Sequence, residues 1–273
     1  MGDEWRGILY PAALPTFTRL PPPERVAGLV RWFWIPEWDL GPGRTSRQEI
    51  IAFPASNLVV EPSMTGLAGP TTRRSSRDLT GCGWAVGALL LPAAVPQLGV
   101  EPAQLRDSYV AMDLPQLQAR VRAAMTSGGD DTPEGRRAGA VEAFSEWVEE
   151  RLAPPDDEGR LANALARLVD EDPEVLQVGD VADALGVSVR TVQRLASRYI
   201  GVPPAAMIRR RRLQEAAQRL REQPETELAA LAAELGYADQ AHLAGDFRTV
   251  LGLTPSGYRG GVTPPGRPAG RRA

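Results

Sequence analysis

The stretch "LGVSVRTVQRLASRYIG", Leu185–Gly201, decides how the second half of the chain is read. A Gly follows a Leu, a Ser comes two residues later, and Val189, Val192 and Leu195 then recur at helical spacing. That seam predicts an amphipathic helix opening at Ser188, a residue type that caps free N–H groups. Arg190, Gln193, Arg194 and Arg198 fall on what remains of the helix. Such a face is either solvated or built to lie against something negatively charged.

The pattern returns 50 residues later. "VGDVADALGVSVRTVQRLASRYIGVPP" and "LAALAAELGYADQAHLAGDFRTVLGLTP" align without gaps around Gly186 and Gly236. In both, a helix with an Ala at its packing centre (Ala182, Ala232) ends at Leu-Gly (Leu185, Leu235), where a tight turn favours positive φ. A second helix follows, capped by Ser188 in one copy and Asp239 in the other. Its apolar seam is Val189, Val192 and Leu195 in the first copy, and Ala241, Leu243 and Phe247 in the second. This is the helix-turn-helix pattern. A single copy is weak evidence, because helix–Gly–helix hairpins are common in all-α proteins. Two copies joined by a long helix are a much more specific signal.

The charge distribution agrees. The net charge of −3 hides an acidic front and a basic back. Residues 1–173 hold 17 Arg against 24 acids, a net of −7; residues 174–273 hold 14 Arg against 10 acids, a net of +4. Any polyanionic partner therefore belongs to the back.

Double-stranded DNA suits this arrangement. The second helix of each unit would lie in the major groove, its N-terminal half toward base edges. In the first copy that half carries Arg190, Thr191, Gln193 and Arg194. Arg bonds guanine bidentately and Gln bonds adenine. Ser188 and the helix N-terminus could hold a phosphate, with Arg198 and the run Arg209 to Arg212, Arg209 and Arg212 above all, as further backbone contacts. In the second copy the candidates are Asp239, Gln240, His242 and Arg248. Two reading helices on one chain could enter successive major grooves, roughly 34 Å apart.

Residues Leu176 to Arg259 resemble the AraC/XylS-type DNA-binding domain. The matching stretches are "VADALGVSVRTVQRLASRYIGVPP", "RRRRLQEAAQRL" and "LAAELGYADQAHLAGDFRTVLGLTPSGYR", the last with the specific "LGYADQAHLAGDFR" and "GLTPSGYR". The resemblance implies a seven-helix domain with two helix-turn-helix units, and a role in transcription regulation, as activator or repressor. It places Arg190, Gln193 and Arg194, then Asp239, Gln240 and His242, at the family's contact positions. One departure stands out: most members carry Arg or Lys where this chain has Gly245. Asp246 beside it adds repulsion wherever it faces phosphate. The second unit is therefore expected to contribute less contact energy than the first.

The front half reads differently. Residues 1–100 are rich in Pro, Gly and aromatics, with five of the six Trp. Apolar runs in "GLVRWFWIP", "EIIAFPASNLVVEP" and "WAVGALLLPAAV" are bounded by turn residues and read as strands of a small curved sheet or half-barrel. Helices are expected in "PAQLRDSYVAM", "DLPQLQARVRAAM" (Asp113 as cap) and "RRAGAVEAFSEWVEERLA". "APPDDEG", residues 153–159, reads as linker, followed by a helix in "RLANALARLVDEDP". The fold class is α+β. A β-rich, then helical, sensor or dimerisation module spans 1–153; a linker and connecting helix span 154–173; the DNA-binding domain spans 174–260; a disordered tail spans 261–273. The pieces "LPPPERVAGLVRWFWIPE", "FPASNLVVE", Gly69–Pro70 and "LLLPAAVPQLGVEPAQLRD" resemble a poorly characterised half-barrel module of actinobacterial regulators.

Trp32, Trp34, Phe53 and Trp84 are candidates to line an apolar effector pocket, although such residues are more often ordinary core. Cys82 in "TGCGW" is read as a buried thiol in preference to a redox sensor. One His and one Cys exclude a Cys/His metal cluster and disfavour a Ser–His triad, and no phosphate-binding glycine motif appears. No enzyme activity, metal or cofactor is expected. The start "MGDEWRGILY" lacks an apolar signal region and no run reaches membrane-spanning length, so a cytoplasmic protein without membrane contact is expected. RNA polymerase, a small-molecule effector and a second copy of the chain remain open as partners. Two alternatives remain beside the regulator: an alkyl-transfer repair enzyme fused to the same domain, and a helical protein-interaction module that binds no DNA.

Overall fold

A computed structural model describes residues 16–50, 54–72, 75–127 and 132–261. The architecture is α+β, as the patterning predicts. Nine strands come first among the described residues: β1 (Thr16–Leu20), β2 (Val30–Asp39), β3 (Thr45–Ile50), β4 (Asn57–Val60), β5 (Thr65–Ala68), β6 (Ser75–Thr80), β7 (Cys82–Trp84), β8 (Val86–Leu90) and β9 (Tyr109–Ala111). Helices α1 (Pro115–Ser127), α2 (Pro133–Arg151) and α3 (Asp157–Glu171) follow. The remainder is α4 (Val178–Leu185), α5 (Val189–Leu195), α6 (Pro204–Glu222), α7 (Leu228–Glu234), α8 (Gln240–Leu251) and α9 (Pro255–Gly261). Helices α4 to α9 fall in the stretch that carries the resemblance, and α3 precedes it.

One antiparallel sheet runs β1-β2-β8-β4-β5-β9, with β7 on the far part of β2; β3 and β6 form a separate ribbon. The sheet's apolar face carries Val30, Phe33, Ile35, Leu58, Val60, Leu67, Val86, Ala88 and Leu90. Helices α1 and α2 cover that face with Leu117, Val121, Phe144, Trp147 and Val148. Phe33 and Phe144 meet edge to face, 5.4 Å between centroids.

Strict alternation in "VRWFWI" would place Val30, Trp32 and Trp34 on one side. A register shift between Val30 and Trp32 changes that. The extra residue turns Val30, Phe33 and Ile35 to the core. Trp32 is left with Leu89, Trp34 and Ala55 in a second, smaller cluster.

Two local expectations need correction. "PAQLRDSYVAM" is a 3-10 turn, Pro102–Leu105, followed by β9, because Tyr109–Ala111 pairs with Gly66–Ala68. The end of the expected linker is helix: α3 opens at Asp157, with Asp156 accepting from the Gly159 N–H at 2.7 Å. The disordered tail predicted over 261–273 falls, beyond Gly261, outside the described residues.

The chain divides into two compact units, Met1–Arg211 and Arg212–Ala273, the division falling inside α6. The sequence reading placed its boundary at 173/174. The first unit contains the sheet, α1 to α5 and the opening of α6; the second contains α7 to α9 and the rest of α6. In the first, Ala162, Leu165 and Val169 of α3 pack with Val181, Val192, Leu195, Tyr199 and Ile208. In the second, Leu231, Leu243, Phe247 and Tyr258 are fully enclosed, and Phe247 and Tyr258 meet edge to face at 5.7 Å.

Candidate nucleic-acid interface

The two helix-turn-helix units are built by the same hydrogen bonds. In the first, the Gly186 N–H donates to the Asp183 carbonyl at 3.1 Å and the Val187 N–H to the Ala182 carbonyl at 3.0 Å. In the second, Gly236 donates to Ala233 at 3.0 Å and Tyr237 to Ala232 at 2.8 Å. Both glycines are left-handed, at φ +64° and +71°, a conformation that any Cβ would strain. Ser188 then accepts from the Thr191 N–H at 3.1 Å, and Asp239 from the His242 N–H at 2.7 Å. Both expected caps are present.

The repeat is nevertheless not gapless. The turn glycines are 50 residues apart, but the caps Ser188 and Asp239 are 51 apart, as are the closing left-handed glycines Gly201 and Gly252. The second turn therefore carries one extra residue. In this register Arg190 corresponds to Ala241, Arg194 to Gly245 and Arg198 to Thr249. The first reading helix is cationic where the second is nearly uncharged.

On the first unit, Ser188, Arg190, Gln193, Arg194 and Arg198 are exposed and Thr191 is half-buried. They share one face, with Val192 and Leu195 buried beneath. Val189, expected in the apolar seam, is instead 42% exposed beside Arg190. An exposed Val here could meet a thymine methyl. The helix closes in a π turn, Ala196–Ile200, with the Gly201 N–H bonded to the Ala196 carbonyl at 2.7 Å.

Sequence reasoning missed Glu158, in the first turn of α3. One carboxylate oxygen accepts from Arg194 Nη1; the other accepts from Arg198 Nη1 at 2.7 Å and the Tyr199 hydroxyl at 3.0 Å. The Arg194 hydrogen bond, then those of its neighbours, hold this carboxyl below its usual range against some desolvation. Burial, then the Glu158 contact, pushes the Tyr199 hydroxyl up. Arg190, by contrast, makes no ion pair among the described residues.

On the second unit, Asp239, Gln240, His242 and Arg248 are exposed. His242 rests edge-on against Tyr237, 5.2 Å between centroids. Ala241, expected in the seam, is exposed, and Leu243 and Phe247 carry the packing. A Cβ at Gly245 would meet nothing within 4 Å.

The arginine run on α6 is not a phosphate stripe. Arg209 is exposed, but Arg210 and Arg211 are buried. Arg211 Nη2 donates to the Val175 carbonyl at 2.7 Å. Burial depresses the Arg210 guanidinium to about 10, opposed by Asp107. Arg212 is half-buried and stacks over Tyr237, 3.8 Å from the ring centroid. Consecutive helix positions point all round the axis, so the buried ones serve packing.

The aromatic candidates are divided by the sheet. The guanidinium groups of Arg19 and Arg31 each lie over the Trp32 ring, 4.6 Å from its centroid. Trp34 donates from Nε1 to Asn57 Oδ1 at 2.9 Å and stacks with Phe17. Trp84 instead packs against the main core. Phe53 lies outside the described residues. Cys82, expected buried, is exposed on β7, at the far part of β2.

A helix-turn-helix domain family model matches residues 181–261, and a domain of unknown function matches residues 18–111. A "Putative AraC-like transcription regulator" of Streptomyces lividans is 34% identical over 126 residues, covering 46% of this chain and 40% of the relative. The "HTH-type transcriptional activator AarP" of Providencia stuartii is 32% identical over 84 residues, 31% of this chain and 62% of the relative. The C-terminal domain is of the AraC/XylS type. This chain spans about two fifths of the length of the first curated relatives that the AraC-type match reaches. Among solved structures, ToxT from Vibrio cholerae O395 is 12% identical, with a TM-score of 0.41, covering 91% of this chain and 98% of that one. No helix among the described residues is long and apolar enough to cross a membrane.

Proposed function

We propose that the chain is a sequence-specific transcription regulator that grips duplex DNA chiefly through its first helix-turn-helix unit. The observation that carries this is the exposed face of α5 and its continuation. Arg190, Gln193, Arg194 and Arg198 stand together there, over a turn and cap of helix-turn-helix geometry. Base edges would meet Arg190, Gln193 and Arg194; phosphates would meet Arg198 and Arg209. Asp239, Gln240, His242 and Arg248 form a weaker second contact set.

Regulation through the front module is supported by its contacts. Within the first unit it holds α3 and the end of the first reading helix directly. Asn163 bridges the Ala93 N–H and the Gly28 carbonyl, both at 2.9 Å. Arg31 pairs with Asp170 at 2.6 Å. Arg106 donates to the Gly201 carbonyl. A ligand or a second copy that shifts the module would therefore move the reading helix.

Selection from a random duplex library, followed by affinity measurements across a salt series, tests the reading. An enriched motif whose affinity falls steeply with salt is expected, since several phosphate contacts release counterions. Absence of any salt-dependent duplex binding would leave the protein-interaction alternative.

A further inference from the structure

The contact between Glu158 and Arg194 goes one step further, and it rests on the DNA-reading role just proposed. An exposed arginine on a helix samples many rotamers, and fixing it on a base costs that freedom. Arg194 is already fixed at one nitrogen. Its Nη1 donates to Glu158, while among the described residues its Nε and Nη2 make no hydrogen bond. The edge left open is of the kind that pairs bidentately with guanine.

Glu158 is itself held in place. Its other oxygen accepts from the hydroxyl of Tyr199, a buried residue, as well as from Arg198. It stands in the first turn of α3, where the free N–H groups favour an acid. Helix α3 is locked by Ala162, Leu165 and Val169 in the core of the first unit. A mere counterion needs no such anchoring. A carboxylate beside DNA also works against affinity, so its benefit must lie elsewhere.

We propose that Glu158 is the positioning residue of the first reading helix, holding Arg194 by one nitrogen so that its opposite edge is preset for a base pair. Tyr199 orients Glu158, and Glu158 orients Arg194. The charge costs general affinity and gains discrimination at one base-pair step.

The test uses the full chain and compares wild type, E158A, R194A and the double variant, on the selected motif and on its single-base variants. R194A identifies the step that Arg194 reads. E158A is expected to reduce discrimination at that same step at least fivefold, leave the other steps intact, and bind unrelated duplex as tightly or more tightly. The double variant should behave as R194A alone. Y199F, which keeps the carboxylate but frees it, should give a smaller loss at the same step. The proposal is overturned if E158A keeps its preference at that step, if it tightens binding to every duplex with preference intact, or if the two substitutions multiply. Should E158A lose its fold by circular dichroism, unchanged discrimination in Y199F overturns it instead. Wild type that enriches no motif overturns the DNA-reading role itself, and this proposal with it.

Discussion

The guanidinium of Arg106 donates twice to the main-chain carbonyl of Gly201, from Nε at 3.1 Å and from Nη2 at 2.7 Å. Gly201 closes the first reading helix at φ +81°, and a Cβ there would lie 2.3 Å from the Pro102 carbonyl oxygen. Gly201→Ala should therefore destabilise the chain by about 2 kcal/mol or more, from left-handed strain and the clash together. Arg106→Ala should cost about 1 kcal/mol. Urea unfolding measures both; a neutral Gly201→Ala would show that the Pro102 turn is not seated on the reading helix in solution.

Asn163 makes both of its amide contacts to main chain of the front module. Asn163→Ala leaves the Ala93 N–H and the Gly28 carbonyl without these partners, a loss of about 1 to 3 kcal/mol. Hydrogen exchange at Ala93 should accelerate markedly. Unaltered exchange there would contradict the docking of α3 on the module.

Gly245 occupies the position equivalent to Arg194, in open space. Gly245→Arg should stabilise α8 by about 0.5 to 1 kcal/mol through helix propensity and should tighten duplex binding. Gly245→Ala separates the two effects, since it gains the propensity without the charge. If Arg and Ala bind DNA alike, this face points away from phosphate.

Glu158 titrates below its ordinary value of 4.5 in the folded chain, chiefly through the Arg194 hydrogen bond. A carboxyl depressed by folding adds stability that is fully present above its unfolded value and disappears as pH falls through the folded one. Wild type should therefore be more stable than Glu158→Gln at neutral pH, and the gap should close on acidification below about 4.5. A gap that stays constant with pH would mean that the pair does not form.

Much of the candidate site was legible. Gly186 and Gly236 announced left-handed turns, and Ser188 and Asp239 announced caps, because each is local backbone chemistry. The acids Asp156, Asp157 and Glu158 carry a signal of their own within the expected linker: an acidic first turn ahead of an apolar period marks a helix start. The extra residue in the second turn was hidden, since glycine spacing alone does not locate a cap. The exposure of Val189 and Cys82 was hidden too, because apolar character does not say which neighbour arrives to cover a side chain.

What the sequence by itself determined is the local grammar: helix seams, turns, caps, the basic back half and the α+β order. These depend on residues a few positions apart. Tertiary structure alone decided three things that depend on distant partners. The shift between Val30 and Trp32 chose which side chains enter the core. The enclosure of Arg210 and Arg211 removed half of the arginine run from the surface. Packing of α3 on the first unit brought Glu158, 36 residues away in sequence, to Arg194. Charge pairs of that kind are set by how helices stack, and no spacing rule along the chain records it.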